Sequence, residues 1–307
     1  MDRRLRAEGR GARLDFRRPV TVRKDGRGGE SRSRAPQRPV PAANAHGSRC
    51  LRFSYVGAAF VLTCGSAAGQ ADVPQPLKSG IEFAAGEIRA LQADEFSNPG
   101  MLWVDRGSRL WREPTGPDGR SCASCHGDAR TSIKGAATQY PRIDPGSARL
   151  VDLEGRINLC RERNQRVKAL AHETDDLIGL TAFVAHQSHG MPLAVGLDLQ
   201  NRTRFERGRR LYHTRIGQMN LSCAHCHDRN WGKKLAAETV SQGHGNAYPA
   251  YRLEWQTVGS LQRRIRACFH GVRAEMPPYD AAELLDLELY VGWRGNGLPI
   301  EAPGVRR

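Results

Sequence analysis

Two short motifs of the same pattern bring together cysteine and histidine residues that can carry chemistry. Residues 122–126 (CASCH) and 223–227 (CAHCH) both follow the pattern C-x-x-C-H. This is the attachment pattern of c-type haem, in which the cysteines form thioethers with the haem and the histidine binds the iron. We therefore predict two covalently bound c-type haems, with thioethers at Cys122, Cys125, Cys223 and Cys226 and iron ligands at His126 and His227.

Zinc is the main rival for paired cysteines. The cysteine pairs of structural zinc sites usually lie within about twenty residues of each other. Here the two motifs are 101 residues apart, and a histidine follows each one directly. The spacing therefore favours haem over zinc.

One unpaired cysteine follows each motif. Cys160 follows the first motif and Cys268 the second, and the segment L-x-x-R-I-x-x-C precedes both. We predict that these cysteines are the second iron ligands, because a thiolate would give a low-potential, sulfur-active centre. Met191 and Met276 are the alternatives, and methionine would raise the haem potential instead. The repeat favours cysteine, since neither methionine has a counterpart in the other half.

The elements around the motifs are repeated as well. A glycine stands 15 residues before each motif, at Gly107 and Gly208, and a Tyr-Pro pair stands 20 residues before each unpaired cysteine. Apolar residues at helical spacing close each half, and no clear alternating strand runs appear. These patterns predict a mainly α protein of two tandem cytochrome c-like haem domains related by internal duplication. We place the domains at residues 72–190 and 191–307.

Charge is concentrated at one end of the chain. Of the formal net charge of +15, +10 falls in residues 1–52, where 15 Lys and Arg stand against 5 Asp and Glu. This stretch is rich in Gly, Arg and Pro, and it has too few apolar residues to form a core. We interpret it as a disordered basic leader or a mis-assigned start, and the chain as one that does not bind nucleic acid.

A secretory signal follows the basic leader. A short apolar run begins at Phe53, small residues follow it, and we expect cleavage near Ala71. The run is too short to span a bilayer as a helix, so we do not expect an integral membrane protein. Since c-type haem is attached outside the cytoplasm, the signal at residues 53–71 and the haem motifs both predict a periplasmic protein.

Several further segments resemble one known family. They are 91–100 (LQADEFSNPG), 153–161 (LEGRINLCR), 187–192 (QSHGMP) and the region around Cys268. Together with the repeated motif, they resemble SoxA, the dihaem subunit of the SoxAX cytochrome complex of bacterial thiosulfate oxidation. The resemblance covers roughly residues 78–307.

The resemblance implies an activity and a set of partners. The activity is that of an L-cysteine S-thiosulfotransferase, which joins thiosulfate to a cysteine of the SoxYZ carrier protein. Two electrons would pass to the SoxX subunit of a heterodimer and then to a soluble cytochrome c. In this family the cysteine at the position of Cys268 is both iron ligand and catalytic residue, with a persulfide form, whereas the one at Cys160 is a ligand only.

Thiosulfate is a dianion, so cationic side chains should surround the second site. Arg264 lies four residues before Cys268, which places both on one face of a helix. Arg273 and Arg294 are further candidates, because the planar guanidinium group suits oxyanions. Arg156 has the same spacing to Cys160, which leaves open a structural role for Arg264, such as pairing with a haem propionate.

Two other functions use the same haem residues. A non-catalytic dihaem cytochrome would only transfer electrons, and Cys268 would then be only an iron ligand. A dihaem peroxidase would need an open iron position, which a spare cysteine in each half disfavours.

Overall fold

Helices form most of the computed structural model, which describes residues 73–307. Within that range the helices are α1 (Gly86–Ala93), α2 (Met101–Arg112), α3 (Cys122–His126), α4 (Ala129–Ser132), α5 (Leu153–Cys160), α6 (Asp175–His186), α7 (Arg202–His213), α8 (Cys223–His227), α9 (Leu261–Gly271) and α10 (Ala282–Arg294). Single 3-10 turns occupy Gly80–Phe83 and Ala136–Gln139, and a π turn, Arg161–Gln165, continues α5. The basic leader, the signal and its cleavage position lie outside the described residues. None of the described helices is long and apolar enough to cross a membrane.

Short strands accompany the helices. They are β1 (Arg142–Asp144), β2 (Arg149–Val151), β3 (Lys234–Leu235), β4 (Glu238–Thr239), β5 (Ala250–Arg252), β6 (Thr257–Gly259) and β7 (Gly304–Arg306). Strands β1 and β2 pair antiparallel, as do β3 with β4 and β5 with β6, while β7 pairs parallel with β5. The sequence did not predict these strands, because two or three residues are too few to show an alternating pattern.

Each half contains one close crossing of two long helices. Helix α2 crosses α6 in the first half, and α7 crosses α10 in the second. At the crossings, a Cβ atom on Gly107 would overlap the carbonyl oxygen of Gly179, and one on Gly208 would overlap that of Asp286. The glycine that stands 15 residues before each haem motif therefore allows two helix backbones to touch.

The closing helices form the centre of the core. Leu177, Leu180 and Phe183 of α6 are buried, as are the corresponding residues of α10, Leu284, Leu287 and Tyr290. An aromatic residue near the end of the preceding helix packs on each: Trp111 contacts Phe183 and Tyr212 contacts Tyr290. The helical apolar periodicity of the two halves is thus confirmed, and the fold is mainly α as predicted.

A hairpin leads into each helix that bears an unpaired cysteine. Arg142 pairs with Val151 in the first hairpin, and Ala250 pairs with Gly259 at the equivalent place in the second. The next residue caps the following helix: the Asp152 carboxylate accepts from Gly155 N at 2.7 Å, and the Ser260 hydroxyl accepts from Arg263 N at 3.0 Å. Polar N-caps of this kind fix where a helix begins.

The two halves share buried contacts. Leu150 of β2 belongs to the core cluster formed by α7, α9 and α10. The amide of Gln262 donates to the Asp152 carboxylate at 2.9 Å, although 110 residues separate them along the chain. The division between domains at residues 190 and 191 stays a prediction.

Candidate haem sites

Each haem motif forms one turn of helix after a serine. The Ser121 hydroxyl accepts from Ser124 N at 3.0 Å at the start of α3. At the start of α8, the Ser222 hydroxyl lies 2.7 Å from Nδ1 of His225. One helical turn places residues i, i+3 and i+4 side by side, which groups the two cysteines and the final histidine of each motif.

His225 faces away from this group. Besides Ser222, its Nε2 lies 2.8 Å from the guanidinium Nη2 of Arg215. Both ring nitrogens of His225 are therefore engaged at the edge of α8, where the sequence analysis placed the residue.

A loop backbone holds the imidazole of His227. Its Nδ1 lies 2.8 Å from the carbonyl oxygen of Ser241, the distance of an N–H···O hydrogen bond. Gly243 makes this approach possible: its φ is +75°, and a Cβ at this position would lie 2.7 Å from the ring. A hydrogen bond from Nδ1 leaves Nε2 as the metal-binding nitrogen, in the arrangement typical of ligating histidines.

Cys268 faces His227 across the second site. Burial raises the pKa of the Cys268 thiol, while the charge of Arg264 and a hydrogen bond with His227 lower it, so that the pKa falls to about 7. The charge of Arg252 acts in the same direction. The structure thus brings the unpaired cysteine and the histidine of the motif together, with two guanidinium groups nearby.

Each unpaired cysteine lies beside the motif of its own half. Burial and the neighbouring Cys268 raise the pKa of Cys223 to about 12. In the first half, burial and the neighbouring Cys160 raise the pKa of Cys122. The six cysteines of the described residues are all free thiols. This arrangement agrees with a role for Cys160 and Cys268 in separate sites rather than in a shared disulfide.

The donors present fit c-type haem. Each site offers two thiols, an imidazole and a further thiol, which matches two thioether bonds and two iron ligands. In the first half Nε of Arg161, the residue next to Cys160, is buried and has no hydrogen-bond partner among residues 73–307. Its charge acts on Cys122. A buried guanidinium nitrogen at this place suits an anionic group such as a haem propionate.

The two methionines considered as alternatives lie elsewhere. Met276 is 44% exposed, in the loop between α9 and α10. The side chain of Met191 packs against Gly135. Neither position favours methionine over the cysteine that faces His227.

The two sites differ in the charges around the unpaired cysteine. Arg156 of the first half is bound by the buried carboxylate of Asp144 at 3.0 Å, and Arg163 binds the same carboxylate at 2.9 Å. In the second half, no hydrogen bond or ion pair joins the Arg264 guanidinium to another side chain in residues 73–307. Arg264 is partly buried, one helical turn before Cys268. Its charge is thus available to an anion.

Arg294 is the one candidate that the structure places differently from the expectation. Its side chain is 1% exposed, its Nη2 lies 2.7 Å from the Asp228 carboxylate, and its guanidinium carbon lies 4.5 Å from the ring centre of Tyr212. Substrate contact by Arg294 is therefore wrong for this structure, because a buried ion pair with the residue after the haem motif occupies the guanidinium. Arg273 is exposed in the turn that ends α9.

The sequence analysis missed three residues of the second site. Arg252, Ser241 and Gly243 lie around Cys268 and His227 but belong to no recognised motif. One signal was available for Arg252: counting back 16 residues from each unpaired cysteine gives Asp144 in the first half and Arg252 in the second. The charge at this position of the repeat is reversed.

Comparisons with known proteins agree with this architecture. The family model "SoxA/TsdA, cytochrome c domain" matches twice, over residues 106–193 and 207–300, and each match contains one C-x-x-C-H motif. Covalently bound c-type haem is therefore the cofactor. The L-cysteine S-thiosulfotransferase subunit SoxA of Pseudaminobacter salicylatoxidans is 42% identical over 230 residues, which cover 75% of this chain and 80% of that protein.

Further relatives give the same result. The subunit of the same name from Rhodovulum sulfidophilum is 34% identical and covers 77% of this chain and 82% of its own length. The crystal structure of SoxXA from P. pantotrophus superposes with a TM-score of 0.75 at 35% identity, covering 78% of this chain and 90% of that one. The chain belongs to the SoxA family.

Proposed function

We propose that this chain is the SoxA subunit of an L-cysteine S-thiosulfotransferase. The reaction joins the outer sulfur of thiosulfate to a cysteine of the SoxYZ carrier protein. The carrier thiol loses its proton, one S–S bond forms, and two electrons pass by way of SoxX to a soluble cytochrome c. The names of the relatives support the activity, and the match to a SoxXA complex supports SoxX as the partner.

The arrangement of Cys268, His227 and Arg264 carries the proposal. The sulfur of Cys268 faces the histidine of the second motif, and the nearby positive charge of Arg264 is not used by a carboxylate. The first site has the same cysteine and histidine, but its arginine is bound to Asp144. An anionic sulfur substrate is therefore better accommodated at the second site.

The protein groups have distinct tasks in this proposal. Cys268 is the catalytic residue, whose sulfur is held as thiolate, the nucleophilic form, and takes a persulfide form as it bonds transiently to substrate sulfur. Arg264 binds the oxygen atoms of thiosulfate and orients its outer sulfur towards Cys268. Bound haem supplies one-electron redox chemistry, held by Cys122, Cys125, His126 and Cys160 in the first site and by Cys223, Cys226, His227 and Cys268 in the second.

The remaining arginine candidates have other places in the proposal. Arg273, exposed beside the end of α9, could guide anions towards the site. Arg294 instead holds Asp228 and the aromatic ring of Tyr212, and so positions the end of α8.

The test is thiosulfate-dependent reduction of cytochrome c with SoxX and SoxYZ present. We expect turnover with the wild-type chain and almost none with Cys268→Ser. Cys160→Ser is the matched control and should retain the coupling reaction. If Cys268→Ser turned over as well as the Cys160→Ser variant, the chain would be a pure electron-transfer cytochrome instead.

Location in the periplasm, as a heterodimer with SoxX, completes the proposal. The apolar run that begins at Phe53 and the two haem motifs support export. Fusion of residues 1–75 to a reporter enzyme that is active only outside the cytoplasm would check this. A reporter that stayed inactive would contradict the periplasmic location.

A further inference from the structure

Arg252 occupies a position at which the two halves carry opposite charges. It ends β5, as Asp144 ends β1, and each is the third residue of the first strand of its hairpin. Both side chains are buried, with residue exposures of 4% for Arg252 and 2% for Asp144. The same buried corner thus contains an anion beside the first unpaired cysteine and a cation beside the second.

Two glutamates bind Arg252. Its Nε lies 2.8 Å from the carboxylate of Glu254, in the turn between β5 and β6, and its Nη2 lies 3.6 Å from that of Glu238 in β4. The side chain of Arg252 is only 5% exposed, while the glutamates are 45% and 41% exposed. Arg252 therefore holds two mobile, half-exposed carboxylates at a fixed, buried point.

The same two glutamates lie close enough to act on Arg264. The charges of Glu238 and Glu254 are both felt at its guanidinium, as is that of Cys268. Nevertheless, among residues 73–307 neither glutamate forms an ion pair with Arg264. In the first half, the one carboxylate at the equivalent corner binds Arg156 directly.

We propose that Arg252 is a positioning residue that binds Glu238 and Glu254 and so keeps them off Arg264, leaving that guanidinium for a sulfur oxyanion. The inference rests on the proposed function, in which Arg264 binds thiosulfate. Without Arg252, the two carboxylates would turn to the nearest remaining cation and neutralise it, as Asp144 does for Arg156. The reversal of charge at this corner then explains why one of two otherwise similar sites accepts an anionic substrate.

The experiment measures thiosulfate binding to the haem-loaded heterodimer without the carrier, by titration calorimetry. Arg252→Gln should weaken binding about tenfold or more. The triple variant Arg252→Gln, Glu238→Gln, Glu254→Gln should restore it to near the wild-type dissociation constant, because no carboxylate is left to compete for Arg264. The double variant Glu238→Gln, Glu254→Gln should bind thiosulfate at least as tightly as wild type, even if Arg252→Gln alone folds poorly.

The outcomes separate this inference from the proposed function. Wild-type affinity in Arg252→Gln, or a triple variant as weak as the single one, would show that Arg252 only supports the hairpin. Weaker binding in the double variant would also overturn the inference. A wild-type chain that binds thiosulfate with the expected pattern in the variants, yet gives no turnover with SoxYZ, would contradict the proposed function alone.

Discussion

Cys268 and Cys160 are equivalent in the repeat and differ in their surroundings. Both lie at the same place in a helix that follows a capped hairpin. Arg264 and Arg252 add positive charge near Cys268, whereas Asp144 neutralises the arginines near Cys160. Differences in function between the two sites should therefore follow the charged neighbours rather than the cysteines themselves.

Exchange of Cys268 for methionine separates its two proposed tasks. Cys268→Met should raise the reduction potential of one haem, because a thioether sulfur stabilises ferrous iron better than a thiolate does. It should also abolish thiosulfate coupling, since a thioether is not a nucleophile of this kind. Cys160→Met is the control: it should raise the other potential and preserve coupling. Redox titration followed by absorbance would check both, and unchanged potentials would exclude cysteine as the ligand.

Removal of the Arg264 guanidinium should weaken catalysis with thiosulfate. A hydrogen bond to a charged group contributes about 1.5–3 kcal/mol, so Arg264→Ala should lower kcat/KM roughly ten- to a hundredfold. Arg156→Ala, its repeat partner, should leave kcat/KM for thiosulfate unchanged. Steady-state kinetics over a range of thiosulfate concentrations would measure both. Equal losses in the two variants would indicate a structural role for this arginine position.

Among the elements, the close pairs of helices place the strictest demands on the sequence. Gly208 lies where α7 touches the backbone of α10, so Gly208→Ala should push the helices apart. Overpacking of this kind costs about 1–3 kcal/mol, and the unfolding midpoint in urea should fall accordingly. Gly196→Ala is the control, because no atom lies within 4 Å of a Cβ placed there. Equal midpoints for the two variants would contradict the crossing.

The same element scale shows what could be predicted from sequence. The haem motifs, the repeated glycine and the closing helices could be recognised, because local spacing determines them. The ion pair of Arg294 with Asp228 could not, because 66 residues separate the two and nothing in the local pattern joins them. Arg252 could have been found only by aligning the halves through a hairpin that is too short to recognise as strands.

Across the whole molecule, acidic side chains are buried where the two halves meet. Asp152 and Glu154 of α5 and Glu288 of α10 line one cavity together with Tyr140 and Tyr248. His172, Glu173 and Asp280 lie in the same charged region. Burial raises the pKa of all three carboxyls in the cavity, that of Asp152 to about 6.

These raised pKa values have a definite effect on stability. The unfolded pKa of an aspartate is about 3.9, so between about pH 4 and pH 6 the folded chain binds protons at Asp152 that the unfolded chain has lost. The stabilising contribution of Asp152 is thus complete below pH 4 and is lost as the pH rises through about 6. Asp152→Asn keeps the cap of α5 and removes this titration. Its free energy of unfolding should therefore fall less than that of wild type between pH 4 and pH 7, as urea unfolding at both pH values would show.

The loop that receives the His227 hydrogen bond is tied to the first described residues of the chain. Gln242, between Ser241 and Gly243, is fully buried; it accepts from Lys78 N and donates to Pro76 O, both at 2.8 Å. A shortened protein that began at α1, with Gly86, would keep both haem motifs and all the long helices. It would nevertheless leave the Gln242 amide without these partners, at the usual cost of an unsatisfied buried polar group. Recombinant versions meant for spectroscopy should consequently start before Pro76, and an affinity tag is better placed away from that end.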